Sequence, residues 1–175
     1  MKLKDKSTII TGAASGIGKE IALVFAREGA NVAIADLNKD AADATANEIR
    51  GSGRQAMGVA MNVTDEQAVN DGVASVVRAF GGVDILVSNA GIQIVHALED
   101  FTYADWKKML AIHVDGAFLT TRACLPYMYK SGRGQHHLHG LGTLQGGLGA
   151  QGAIRHRQAR ADRAGQGRRQ GRREI

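Results

Sequence analysis

The sequence predicts an α/β fold, a doubly wound parallel sheet whose build-up stops short and gives way to a tail that cannot form a core. Three observations carry this reading. From Ser7 to Gly134, short apolar runs rich in β-branched residues alternate with longer stretches of helical period, the grammar of successive βαβ units. The run Ile85–Val87 is fully apolar, as a strand covered on both faces is. Beyond Gly134 the pattern fails: residues 135–175 hold nine glycines, eight arginines, six glutamines and four histidines, with no valine, methionine or aromatic residue. Disorder is the expectation there.

Ser7–Thr11 reads as the first strand. Ile17–Glu28 follows as a helix with Ile17, Ile21, Val24 and Phe25 on its apolar face, and Gly29-Ala30 turns the chain into a second strand, Asn31–Ala35. Ala41–Arg50 is the second helix, Ala56–Val63 the third strand, Glu66–Phe80 the third helix, and Ile85–Val87 a fully apolar fourth strand. Thr102–Pro126 supplies either two helical segments or one long helix, ending at the only proline. Right-handed crossovers assemble such units into an open sheet with helices on both faces. The expected organisation is one incomplete domain over residues 1–134 and a tail over 135–175.

Composition narrows the setting. A chain of 175 residues accommodates one domain with a sizeable core. Its net charge of +5 is unevenly placed: residues 1–134 hold 14 Lys+Arg against 15 Asp+Glu, and residues 135–175 hold eight arginines against one Asp and one Glu. The single cysteine, Cys124, rules out an internal disulfide framework and fits a reducing compartment, so a cytoplasmic location is expected. The lysine-rich start is followed by an apolar stretch that Thr11 and Gly12 break at once, too short for a signal-peptide core. No run approaches the roughly 18 apolar residues of a membrane span.

Thr11-Gly12-Ala13-Ala14-Ser15-Gly16-Ile17-Gly18 lies between the first strand and the first helix, where a dinucleotide pyrophosphate meets a helix N-terminus in a Rossmann-type unit. Glycines at 12, 16 and 18 allow a tight turn and close backbone approach, and Ser15 can donate to phosphate while capping the helix. Asp36 closes the second strand; an acidic side chain there accepts both adenosine ribose hydroxyls and repels a 2′-phosphate, which favours NAD over NADP. Two alternatives stay open, a solvated strand-end aspartate and a phosphate partner in nearby Lys39.

Together these residues resemble the short-chain dehydrogenase/reductase family, through TGAASGIG at 11–18, Asp36, Asn62-Val63 and Ser88-Asn89-Ala90-Gly91. The resemblance implies an oxidoreductase using NAD, with Gly12, Ser15, Gly16, Ile17, Gly18, Asp36, Asn62, Val63, Asn89, Ala90 and Gly91 as cofactor neighbours. The stretch from Gly91 to Met128 is similar to the bacterial 3-hydroxybutyrate dehydrogenases, in which Gln93 matches a position that binds the substrate carboxylate. A short-chain reductase of another substrate is the alternative, so the expected partner is a small hydroxy acid or ketone. His113 departs from the pattern, which has Asn there on the helix supporting a proton-relay water; the histidine reads either as a water holder or as a structural residue.

The family's catalytic set is a serine, a tyrosine and a lysine four residues after it, the lysine lowering a phenol pKa of about 10. After Gly134 the sequence has no serine, tyrosine or lysine. Tyr127 and Lys130 precede the strand that should carry the serine and are three apart, so no catalytic residue is assigned and inactivity is expected. The genetic code suggests a cause. Read one base later, the codon pairs Leu141-Gly142, Ile154-Arg155 and Gln158-Ala159 permit Ser, Tyr and Lys, at the family's spacing. A shift of reading frame near Gly134 is therefore expected, with loss of the later strands, the substrate lid and the family's oligomer interface.

A competing reading from another class is a dinucleotide-fold binding module whose arginine-rich arm holds nucleic acid. It is disfavoured because no aromatic residues interleave the arginines. The histidines at 136, 137, 139 and 156 lack carboxylates or a scaffold, so no metal site is assigned.

Overall fold

A computed structural model of the chain describes residues 1–131 and 135–138. Within them, five parallel strands form one sheet: β1 (Ser7–Thr11), β2 (Asn31–Asp36), β3 (Ala56–Ala60), β4 (Ile85–Ser88) and β5 (Gln135–Leu138). Their spatial order is β3-β2-β1-β4-β5. Helices α1 (Gly16–Arg27), α2 (Lys39–Gly51), α3 (Glu66–Phe80), α4 (Tyr103–Leu110) and α5 (Gly116–Ser131) fill the connections, with a π-helical turn over Ala111–Asp115. The strand order reverses between β1 and β4, and a crevice at the carboxyl ends of strands belongs at such a switch point.

Successive strand side chains go to opposite faces of the sheet, and two cores result. Ile10, Val32, Ile34, Ile85 and Val87 meet Ala22 and Ala26 of α1 and Ala42, Ala46 and Ile49 of α2. On the other face Ile9, Ala33, Ala35 and Leu86 meet Val69, Val73 and Val76 of α3 and Cys124 and Met128 of α5. Each fully buried Ile or Leu contributes about 1.5–3 kcal/mol. Side-chain caps fix the starts of α2 and α3, where Asn38 and Asp65 accept from Ala41 N and Ala68 N at 3.1 and 3.0 Å.

The expected elements are present, with three departures among them and one added strand. The first helix buries Gly18, Ala22 and Ala26, while Ile17 is 64% exposed and Val24 43%. Small residues at a four-residue spacing let the helix lie close on the sheet; of the expected apolar face, Ile21 and Phe25 pack against this core, and Ile17 and Val24 do not. The third strand ends at Ala60, its last pair being with Asp36, so Asn62 and Val63 stand in the loop beyond it. Pro126 does not end a helix, because α5 continues through it to Ser131. The hydrogen bond lost is to the carbonyl four residues back, at Arg122, and both residues are exposed, so water can satisfy that carbonyl.

The added strand is β5. Gln135–Leu138 falls in the expected tail, yet it pairs in parallel with Ile85–Ser88. Backbone groups along the edge of β4 need partners whatever the side chains of the next strand. The ladder thus extends past the expected boundary at Gly134. The expected disorder of the tail, its arginines and the histidines at 139 and 156 lie outside the described residues. Among the described residues no helix is long and apolar enough to cross a membrane.

Candidate functional site

The switch point is built from two loops locked together. Asn89, just past β4, donates its side-chain amide to Thr11 O at 3.0 Å and Gly12 O at 3.2 Å. The Thr11 hydroxyl oxygen accepts from Asn89 N and Ala90 N, both at 3.0 Å. Gly12, at φ +64°, is pressed so close that a Cβ would lie 2.9 Å from Ala90 Cα; at Gly18 a Cβ would lie 2.3 Å from Gly12 O. Both glycines therefore serve the close approach of one backbone segment to another.

Gly16 also has positive φ, at +55°, but a Cβ there would meet nothing. It is exposed with Ser15 and Ile17 at the mouth of α1. Ser15 is the N-cap residue, yet its side chain makes no capping bond, contrary to the expectation that it would cap. Its backbone is extended, as at an ordinary N-cap, and the missing side-chain bond leaves the first N–H groups of α1 open to a ligand. No acidic residue occupies the first turn of α1, so nothing there opposes an anion. An open glycine, a free hydroxyl and uncapped helix donors suit a pyrophosphate.

Asp36 stands beside this loop. Its carboxylate accepts from Ala14 N and from Asn38 N, each at 3.1 Å, and the free lone pairs of both oxygens remain acceptors. Lys39 is ion-paired with Asp43. Asn62 is exposed, and its side-chain Oδ1 accepts from Thr64 N and Oγ1, at 3.1 and 2.8 Å. Val63 is buried against Gly116, where a Cβ would come within 2.9 Å of it.

Beyond Ala90 the geometry is set by His113. Its Nε2 lies 2.8 Å from Ile92 O and 3.2 Å from Ile92 N, both within hydrogen-bonding reach. A Cβ on Gly91 would be 2.4 Å from the His113 ring. The histidine therefore pins the chain that leaves β4, a structural task. Gln93 is exposed and has no hydrogen bond to the other site residues. Sequence reasoning passed over Thr11 and Thr45 as site residues. Thr45 carried a signal, since it falls on the buried stripe of α2 with Ala42, Ala46 and Ile49.

An all-parallel, doubly wound sheet with a glycine loop at its switch point defines a dinucleotide-binding fold. The family model for short chain dehydrogenase matches residues 6–135, and the chain belongs to that family. It is 40% identical over 133 residues to a 2,5-dichloro-2,5-cyclohexadiene-1,4-diol dehydrogenase of Sphingobium indicum, covering 76% of this chain and 53% of that one. It is 40% identical over 134 residues to a sorbitol dehydrogenase of Cereibacter sphaeroides, covering 77% and 51%. A crystal structure of a short-chain type dehydrogenase/reductase from Mycobacterium marinum superposes with a TM-score of 0.75 at 36% identity, over 78% of this chain and 56% of that one. The chain spans about half the length of the curated relatives it matches.

Proposed function

We propose that this chain is the cofactor-binding half of an NAD-dependent short-chain dehydrogenase with a 3-hydroxybutyrate- or acetoacetate-like substrate, and that it does not turn over by itself. The observation that carries the NAD reading is the carboxylate of Asp36, bonded to the glycine loop through Ala14 N while Lys39 is engaged by Asp43. A 2′-phosphate would meet an anion with its neighbouring cation already occupied.

In this reading bound NAD supplies the hydride acceptor. Ser15 and the first N–H groups of α1 hold the pyrophosphate, and Asp36 accepts from the adenosine ribose. Asn62 and Val63 flank the adenine, Asn89, Ala90 and Gly91 support the nicotinamide end, and Gln93 receives the substrate carboxylate. The proton that accompanies hydride transfer has no assigned carrier, because the serine, tyrosine and lysine of the family are absent after Gly134. A shift of reading frame near that residue accounts for the loss.

Titration of NADH fluorescence tests the cofactor half. NADH is expected to bind at least about tenfold more tightly than NADPH, a difference of about 1.4 kcal/mol; equal affinity overturns the NAD reading. No oxidation of 3-hydroxybutyrate is expected, and turnover at an ordinary enzyme rate overturns the inactivity. Sequencing codons 130–160 decides the frame, since a third base other than A in the Ile154 codon removes the out-of-frame tyrosine. A second reading, a different alcohol substrate, is favoured by the relatives, whose names carry a chlorinated cyclohexadienediol and sorbitol. A substrate panel on the frame-restored chain separates the two.

A further inference from the structure

We propose that Thr45, on α2, is a positioning residue of the phosphate loop that sets the direction in which the Ser15 N–H is presented to a cofactor pyrophosphate. The proposal rests on the NAD reading above. Thr45 is 2% exposed and its hydroxyl donates to Ala14 O at 3.1 Å, 31 positions away in the sequence. That is not what a threonine inside a helix ordinarily does. Thr120 and Thr121 in α5 return their hydroxyls to the carbonyls of Gly116 and Ala117 four residues back, the usual local bond. Thr45 instead spends its one donor on the loop.

The consequence follows from peptide geometry. No peptide bond among the described residues is cis, and in a trans peptide the C=O and N–H point in opposite directions. Ala14 O and Ser15 N belong to the same peptide plane. Holding the carbonyl on α2 therefore turns the Ser15 N–H away from α2, and that N–H has no partner among the described residues. The preceding peptide is held as well, because Ala14 N donates to Asp36 at 3.1 Å across 22 positions. Two consecutive peptide planes are thus fixed, one from the end of β2 and one from α2. A donor oriented before the ligand arrives avoids the ordering cost that a mobile loop would incur on binding.

The full chain carrying Thr45→Val, which removes the hydroxyl at nearly constant volume, is compared with Thr45→Ser, which keeps it. Amide hydrogen exchange without ligand is expected to rise about tenfold in a peptide covering residues 12–18 of T45V and to stay unchanged in residues 46–50. NADH affinity should fall about five- to tenfold, and T45S should restore both readouts to within about twofold. If T45V does not fold, Thr45→Ala, which removes the same hydroxyl without adding a methyl group, carries the same expectation. Unchanged exchange at 12–18, or a rise spread equally through α2, overturns the proposal. A wild-type chain that binds no NADH sinks the NAD reading, and the exchange contrast between T45V and T45S still decides whether Thr45 sets the loop.

Discussion

Asn89 bridges two consecutive carbonyls of the glycine loop, Thr11 O at 3.0 Å and Gly12 O at 3.2 Å, with a single side-chain nitrogen. Both acceptors need donors, so the identity of the side chain matters more than its size. Asn89→Ala should cost about 2 kcal/mol by leaving two part-buried carbonyls unpaired. Asn89→Asp should cost more than alanine, because a carboxylate sets acceptor against acceptor. Urea denaturation of the three proteins checks the order, and an aspartate variant as stable as the alanine one would contradict it.

Gly18 and Gly16 make a controlled comparison within one loop. Gly18→Ala drives a methyl against Gly12 O, 2.3 Å away, and Asn89 Nδ2, 2.6 Å away, neither of which can retreat without breaking the bridge. A loss of about 2–4 kcal/mol is expected. Gly16→Ala meets open space and carries only the penalty of its positive φ, about 1 kcal/mol. Thermal midpoints of the two variants should separate accordingly.

Burial pushes the Cys124 thiol from its ordinary 9.0 up to about 12. In the folded protein a thiolate-selective reagent at pH 8 should leave it unmodified, and denaturant should expose it to stoichiometric labelling. The same shift links stability to pH. The unfolded chain releases this proton near pH 9 and the folded chain holds it to about 12, so the folded state binds more protons in that window. Its stabilising effect is complete below pH 9 and is lost as pH rises, by up to about 1.4 kcal/mol per unit relative to a Cys124→Ala variant. Parallel pH curves for the two proteins would rule the linkage out.

Pro126 interrupts the hydrogen bonding of α5 from within. Pro126→Ala restores an N–H that can donate to the Arg122 carbonyl and removes the ring from the preceding turn. Stabilisation of about 1 kcal/mol is expected, a fraction of the full helix-interior penalty because the site is exposed. A destabilised variant in chemical denaturation would show that the ring itself packs.

Much of this arrangement is legible in the residues. Gly12 and Gly18 are recognisable because close backbone approach demands glycine, and Asp36 and Asn89 because they stand just where β2 and β4 end, in motifs the family shares. The less legible features depend on contacts between distant parts of the chain. Hydrophobicity alone assigns Ile17 and Val24 to the buried face of α1, whereas the sheet selects Gly18, Ala22 and Ala26 for their small size. Gln135–Leu138 has no strand signature of its own, and its conformation comes from the edge of β4. Pro126 is accommodated within a helix at a position where it and Arg122 are both exposed. The burial of Thr45 can be read from its place on α2, but its partner, 31 positions earlier, cannot, and the fit of Gly91 under His113 is hidden for the same reason.

The strand order carries a consequence for how the molecule comes into being. β1 pairs with β2 through a short crossover, but its other neighbour is β4, and Thr11 waits for Asn89 across 78 positions. Closing so long a loop costs entropy before any contact rewards it. During synthesis β1, β2 and β3 can zip in turn as they emerge, while the central gap stays open until the fourth strand arrives. The junction between the glycine loop and Asn89 is then completed only when the fourth strand has emerged, well after β1 and β2 have paired.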